Sequence, residues 1–531
     1  MRLLRTLALV GVVAAYLTAG PWVLLLALLA LLVPRVRHAV WPSWRQLLVL
    51  VLVLGAGVGA VLVIPDGRLP IPPGGGLLVT SRFEGKEAMP RPITLDIPQH
   101  PQLAVNGSSS MHVDGWATDA YAGPGPLGKD PEVDSAWYGV KECATLAFDS
   151  QGRLVGLCGS ITGPVLHVVD PDSMHPLDSL ELPRRTGETD KRPWEDLCGG
   201  AYFYLDHEDR AFVGTTRRTI VVVDTTDLTH ERTIDLTAAI PDDDCLVALM
   251  PDWDGLGTWW VSQDGRVGHA DGSGESTVVD LDEEIANSMA VDAEGLYVVT
   301  VEALYKLRVG AGAPETVWRS AYDNGTKLKP GQLSAGSGTT PTVLPSGLVA
   351  ITDNAEPRMN VQFYDARSGD LVCETAVFSA AESATDNSLV AVGDAGVVVE
   401  NNYGYDSPLT TTLGRATAGG LARVDAVQTS ETRDGRECQV AWTSEEVAPT
   451  SVAKVSLANG LVYAYTTRAS RWGVQAWYVT AIDAASGDTA FSVRTGTGSM
   501  FNNHYAAVTL GPDGSLYVAT LAGMVRVRDS S

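Results

Sequence analysis

The chain has 531 residues and a net charge of −25, with 54 glycines and only 8 phenylalanines. That acidity excludes a surface built to hold a phosphate backbone, so no nucleic-acid partner is expected. The glycine content favours short strands joined by turns over long helices. The charge is also split, because residues 1–68 carry +5 and leave −30 for the rest.

Taken in chain order, residues 7–33 and 46–64 are two uncharged apolar runs. Nineteen helical residues rise about 28 Å, enough to cross a hydrocarbon core of roughly 30 Å. A transmembrane anchor is therefore expected over 1–64, with two spans, or three if Gly20-Pro21 splits 7–33 into a hairpin. Arg35, Arg37 and Arg45 lie between the runs with two Trp and no acid, which marks a cytoplasmic loop. Everything after residue 65 is then expected outside the cytoplasm, tethered to the cell membrane with the lipid bilayer as partner. A cleaved signal peptide is the alternative, opposed by how closely the second run follows the first.

Residues 65–76 hold four Pro and four Gly and read as an extended spacer. Residues 77–140 form a lead-in, of which 98–140 is turn-rich and expected to lie across one face of the domain that follows. HVDGWATD within it offers His112, Asp114 and Asp119 as loosely spaced metal-type ligands or as an ordinary polar loop.

From residue 141 to the end, a degenerate unit recurs about every fifty residues, with starts at 143, 198, 245, 287, 340, 387, 450 and 503. Each copy has a short apolar run, a turn, and a second apolar run that often ends in Thr, Asn or Asp. One such unit cannot bury both its faces alone, so eight copies predict stacking around an axis. The fold class expected is all-β: an eight-bladed β-propeller of four-stranded antiparallel blades, preceded by N-terminal transmembrane helices. The last copy stops after its third strand, so a strand from 77–83, or another before Glu142, is expected to close the ring.

Six cysteines without a CxxC in an exported domain point to disulfides. A hairpin turn at 149–152 sets Cys143 opposite Cys158, near the separation a bridge uses. Cys198 and Cys245 open neighbouring inner strands and are a second candidate pair. Cys373 and Cys438, each in an outer strand, are read either as free buried thiols or as a pair.

The stretches QFYDARSGDLVCETAV (362–377) and TAIDAASGDTAFSVRTG (480–496) place an apolar run before Asp and a Ser-Gly-Asp turn. This element resembles the ALD-x-x-T-G-x-x-x-W segment of the pyrroloquinoline-quinone (PQQ) type repeat. The resemblance implies an eight-bladed ring with blades running outward from the axis. The Trp that closes that repeat and docks one blade on the next is mostly missing, with Phe491 in its place in one copy and Cys373 or Glu374 in another. There is no adjacent Cys-Cys pair and no CxxCH, so the fold carries over and the quinone does not. NSMAVDAEGLYVV (287–299) also looks like repeats of NHL and gluconolactonase-type propellers, which often hold an axial calcium.

In such a ring, residues before each first strand and after each second strand meet on one face. The first set holds Glu142, Asp196, Asp244, Asn287, Thr340, Asn387, Thr450, Asn502, Asn503 and His504. The second holds Asp264, Glu302, Asp353, Asn354, Glu356, Arg358, Glu400, Asn401 and Asn402. Oxygen-rich groups suit calcium, and Asp353, Asn387, Glu400 and Asn401 are the candidate shell. Arg358 would meet a ligand carboxylate or Glu356. The same Asn and Asp residues serve equally as turn caps, and His504 as a structural histidine. No nucleophile elbow, HExxH or phosphate loop occurs. The expected function is a ligand- or protein-binding scaffold for a protein or envelope-polymer partner. The alternative is an axial-site enzyme, either a calcium-assisted lactonase-like hydrolase or a PQQ-type oxidoreductase.

Overall fold

The computed structural model describes residues 2–41, 44–105, 107–139, 141–159, 163–184, 198, 202–429 and 435–530. Eight antiparallel sheets form the ring: blade 1 (142–181), blade 2 (203–235), blade 3 (246–280), blade 4 (290–321), blade 5 (342–376), blade 6 (390–444), blade 7 (454–497) and blade 8 (508–528). Every repeat start read from the sequence falls within a few residues of a first strand. In most blades the first three strands are sandwiched between neighbours and are buried at most positions. Leu348–Thr352 is buried throughout, whereas the outer strand His230–Asp235 is exposed at all but one position. Burial on both faces removes the alternation that a half-solvated strand would show.

Blade 8 takes its fourth strand from the other end of the chain. Glu132–Trp137 pairs antiparallel with Gly523–Arg528, so the closing strand lies before Glu142 and not at 77–83. Phe83–Gly85 instead adds an outer strand to blade 7, and Phe83 stacks on Phe491. Two indoles perform the docking that the repeat pattern left without a residue. Trp318 of blade 4 donates its Nε1–H to Ala366 O of blade 5, and Trp442 of blade 6 donates to Ala484 O of blade 7. Gly369 and Gly487 leave room for them, since a Cβ at either would sit 2.6 Å from the indole.

The cysteines pair as Cys143–Cys158, Cys198–Cys245 and Cys373–Cys438. Cys143 and Cys158 are opposed in register, as the hairpin count requires. Cys373–Cys438 staples the outer strands of blades 5 and 6, so the reading of free thiols does not hold.

Before the ring, four helices span Arg2–Ala19, Trp22–Ala30, Pro34–Val40 and Trp44–Val63. The chain breaks at Gly20-Pro21, which divides 7–33 into two helices. Among the described residues no single helix is long and apolar enough to cross a membrane. The pair Trp22–Ala30 and Pro34–Val40, bent by 103°, meets that requirement together. Residues 65–76, expected as a spacer, lie against blade 8. Gly67 N–H donates to Trp137 O, Trp137 N–H to Leu69 O, and Gly74 N–H to Thr497 O. Ile71 is buried there, which holds the segment on the ring instead of in solvent.

Candidate functional site

The lead-in does not simply cross one face. From about residue 100 it enters the axial channel and lines the inner strands in order around the ring. Phe148 of blade 1 donates its N–H to Ser108 O, and Leu205 of blade 2 donates to Ser109 O. Val291, Val343 and Ala391 of blades 4, 5 and 6 donate to Gly115, Trp116 and Thr118, and Val455 of blade 7 donates to Asp119 O. Ala120–Tyr121 then pairs parallel with blade 7 at Val455 and Ser456. Inner strands normally offer unpaired edge groups to a water-filled pore, and here the chain's own backbone accepts from those of six blades.

Fitting this turn into the channel requires unusual backbone. Val113, Ala117 and Asp119 all have positive φ, at 76°, 52° and 56°. Such conformations persist only where surrounding structure over-determines them. Asp114 helps by accepting from the N–H groups of Trp116 and Thr118 and from the Thr118 hydroxyl.

At the centre lies a buried charge cluster. Lys454 Nζ meets Asp119 Oδ1 at 2.7 Å, and both side chains are fully buried. His112 Nδ1 lies 3.3 Å from the same oxygen, and its Nε2 lies 3.3 Å from Thr340 Oγ1. Glu400 accepts from Ala453 N–H at 3.0 Å and from Asn387 Nδ2 at 3.1 Å. Burial pushes the Glu400 carboxyl up to about 8, against those two hydrogen bonds and the nearby Lys454 ammonium. Burial likewise raises Asp114 to about 7 and Asp386 to about 8, and holds Glu142 well above the usual carboxylate range. The Lys454 ammonium is pushed down by burial, with Asp119 opposing.

The expected site residues divide. Asn387 and Glu400 meet, and Asn387 Oδ1 is buried without a hydrogen-bond partner. Asp353 is occupied within blade 5, accepting from Asn360 Nδ2 and Gln362 Nε2, and burial raises it to about 6. Asn401 clamps its own loop through Glu382 O and Gly419 O, so its side chain, like that of Asp353, is engaged within its own blade. Among the described residues, no group of three or more His, Cys, Asp or Glu is placed to hold a metal ion.

Asn402 and Asn503 tie inter-blade linkers, through Pro449 O and Thr450 O respectively. Asn354 holds the loop at Asn324 O. Glu356 pairs with Lys327 at 3.2 Å and not with Arg358, which is exposed. His504 Nδ1 lies 3.3 Å from Tyr405 Oη, and burial lowers its pKa to about 4. Asp196 lies outside the described residues. His112, Asp114 and Asp119 do come together, as the core of the axial turn. Lys454 and Asp386 went unread, although a lone Lys in the apolar run VAKVSL is a signal for an inward charge.

The enclosed hollow beside His112, Asp114 and Tyr202 measures about 10 Å³, room for about one water. A larger hollow of about 310 Å³ lies off the axis, between Ser444–Val447 and Thr467–Ala469. The axial groups can therefore hold a proton or an ion pair, and the hollow beside His112 is no larger than one water.

No family model matches the chain. An uncharacterized protein of Archaeoglobus fulgidus is 26% identical over 275 residues, so the match spans 47% of this chain and about half (53%) of that relative. Among solved structures, BamB from Moraxella catarrhalis is 15% identical, covering 60% of this chain and 93% of its own, with a TM-score of 0.38. The Swd1 β-propeller domain of Myceliophteria thermophila is 11% identical, covering 61% and 94%, with a TM-score of 0.39. The fold is that of a β-propeller.

Proposed function

We propose that this chain is a membrane-anchored, extracytoplasmic β-propeller that acts as a protein-binding scaffold, a PQQ-type repeat ring without its quinone. The observation that carries this reading is the filled axis. Where a propeller enzyme needs room for substrate, residues 108–121 bond to the inner strands and leave little space. The faces and grooves of the ring then remain for partners. Three disulfides support an oxidising compartment. Anchoring is supported by the outward-facing apolar side chains of the helices, with Leu26, Leu28, Val51 and Leu52 each more than 60% exposed. The basic residues Arg35, Arg37 and Arg45 between the helical runs support the orientation.

The unpartnered Asn387 Oδ1 beside Glu400 favours a second reading, a calcium-assisted hydrolase. Elemental analysis and an absorption spectrum of the purified full chain, with cross-linking in its native membrane, separate the two. A colourless, metal-free protein that cross-links to a discrete protein partner is the expected result. Stoichiometric calcium moves the function to the second reading, and a quinone chromophore overturns both.

A further inference from the structure

The helical region meets the ring in two places. Near the first helix break, Trp22 Nε1 donates to Arg471 O at 3.1 Å, and a Cβ on Gly473 would lie 3.1 Å from Pro21 Cγ. Leu77 and Leu78 donate their N–H groups to Leu17 and Thr18. After the last helix, residues 67–74 are bonded to blades 7 and 8. Two attachments stop the ring from swinging on its tether. The loop around Arg471 follows the second strand of blade 7, so the helices join the face on which the inner strands begin.

Around that junction, large apolar side chains stand in solvent: Leu78 at 79%, Leu409 at 63%, Leu413 at 69%, Trp472 at 53% and Met500 at 45% exposed. The loops that carry Leu409, Leu413, Trp472 and Met500 are joined to one another. Ser470 N–H donates to Gly414 O, and Gly498 N–H donates to Gln475 O. Gln475 Nε2 in turn donates to Thr411 Oγ1. Arg415 and Arg471 are exposed among them. The turns between first and second strands lie on the opposite face. An apolar patch with a Trp and basic residues at the mouth of apolar helices has the chemistry of a bilayer interface.

We infer that the ring lies directly on an anionic phospholipid surface, with Leu78, Leu409, Leu413, Trp472 and Met500 entering the interface and Arg415 and Arg471 meeting headgroup phosphates. This rests on the anchoring proposed above and adds to it an orientation and a lipid class. The face holding Glu400 and His504 turns toward the membrane, and the face of the turns between first and second strands is presented outward.

The test uses the full chain in vesicles of equimolar phosphatidylcholine and phosphatidylglycerol carrying a photoactivatable phospholipid, with labelled peptides identified by mass spectrometry. Labelling is expected in the helices, at 409–415 and at 471–473, but not at Leu256, which is 64% exposed in a turn of the opposite face. Arg415→Glu with Arg471→Glu is expected to reduce labelling at 409–415 severalfold while leaving the helices labelled. Helices labelled with 409–415 and 471–473 blank overturns the inference and leaves the anchoring intact. Helices also blank overturns the anchoring itself. Equal labelling in vesicles of phosphatidylcholine alone overturns the anionic class.

Discussion

At the scale of single residues, the axis is governed by one buried ion pair. Asp119 and Lys454 are both fully buried, and Asp119 Oδ2 has no hydrogen-bond partner. Removing one partner strands the other in a medium that solvates it poorly. Lys454→Met is therefore expected to cost about 3–5 kcal/mol. Adding Asp119→Asn should recover part of that loss, because Asn is neutral and tolerates the left-handed backbone at this position. Denaturant midpoints of the two variants check this, and equal midpoints would sink it. Glu400 supplies a pH signature. Its folded value of about 8 lies above the unfolded value of about 4.3, so the fold keeps a proton that the unfolded chain releases. That contribution is complete below about pH 4 and is lost as pH rises toward 8, at up to about 1.4 kcal/mol per pH unit. Asp114 and Asp386 act in the same direction. The buried imidazoles of His100, His167 and His504, each lowered to about 4, act the other way up to about pH 6.5. Unfolding midpoints between about pH 7 and 8 are therefore expected to fall in the native chain and to fall less in Glu400→Gln, which keeps an acceptor for Ala453 N–H.

At the scale of elements, neighbouring blades are joined by different devices. Blades 4 and 5, and blades 6 and 7, are docked by Trp318 and Trp442, whereas blades 5 and 6 are stapled by Cys373–Cys438. Cross-linking residues 65 apart restricts the unfolded chain, so replacing both cysteines by serine is expected to cost about 2–4 kcal/mol. A single cooperative transition at lower denaturant is the outcome anticipated. An unchanged midpoint would show that the two outer strands pack equally well without the bond.

What could be read in advance follows from how local each signal is. Cys143–Cys158 was legible because a hairpin sets its own register. Cys373–Cys438 was not, because it depends on two outer strands meeting across a blade boundary. Trp318 and Trp442 sit where the repeat pattern wants them, but degenerate spacing in blades 4 and 6 hid the match. The axial turn left no periodic trace, since its hydrogen bonds go to inner strands up to hundreds of residues away. The polar mouth was partly legible, because strand ends fix which residues reach the axis. They do not fix which side chains are used up in capping their own loops, as Asp353 and Asn401 are.

At the scale of the whole molecule, one N-terminal stretch does three jobs. Residues 66–137 hold the helices to blade 8, fill the axis and supply the strand that completes the ring. Ion pairs of Arg526 with Asp134 and of Arg528 with Glu132 run along that last seam. A ring gains its cooperativity from closure, because each blade buries its faces only against two neighbours. An open ring exposes the face of blade 8 and the inner strand edges at once, and unpaired edges of that kind recruit other chains. Residues 66–531 alone are therefore expected to unfold in one cooperative transition. Residues 138–531, which keep seven complete blades and the disulfides, should lack that transition and aggregate. Calorimetry and light scattering on the two fragments measure this. A sharp transition in the shorter one would mean that the ring holds without its closing strand and axial turn. The filled axis would then be an ornament of the fold and not a condition of it.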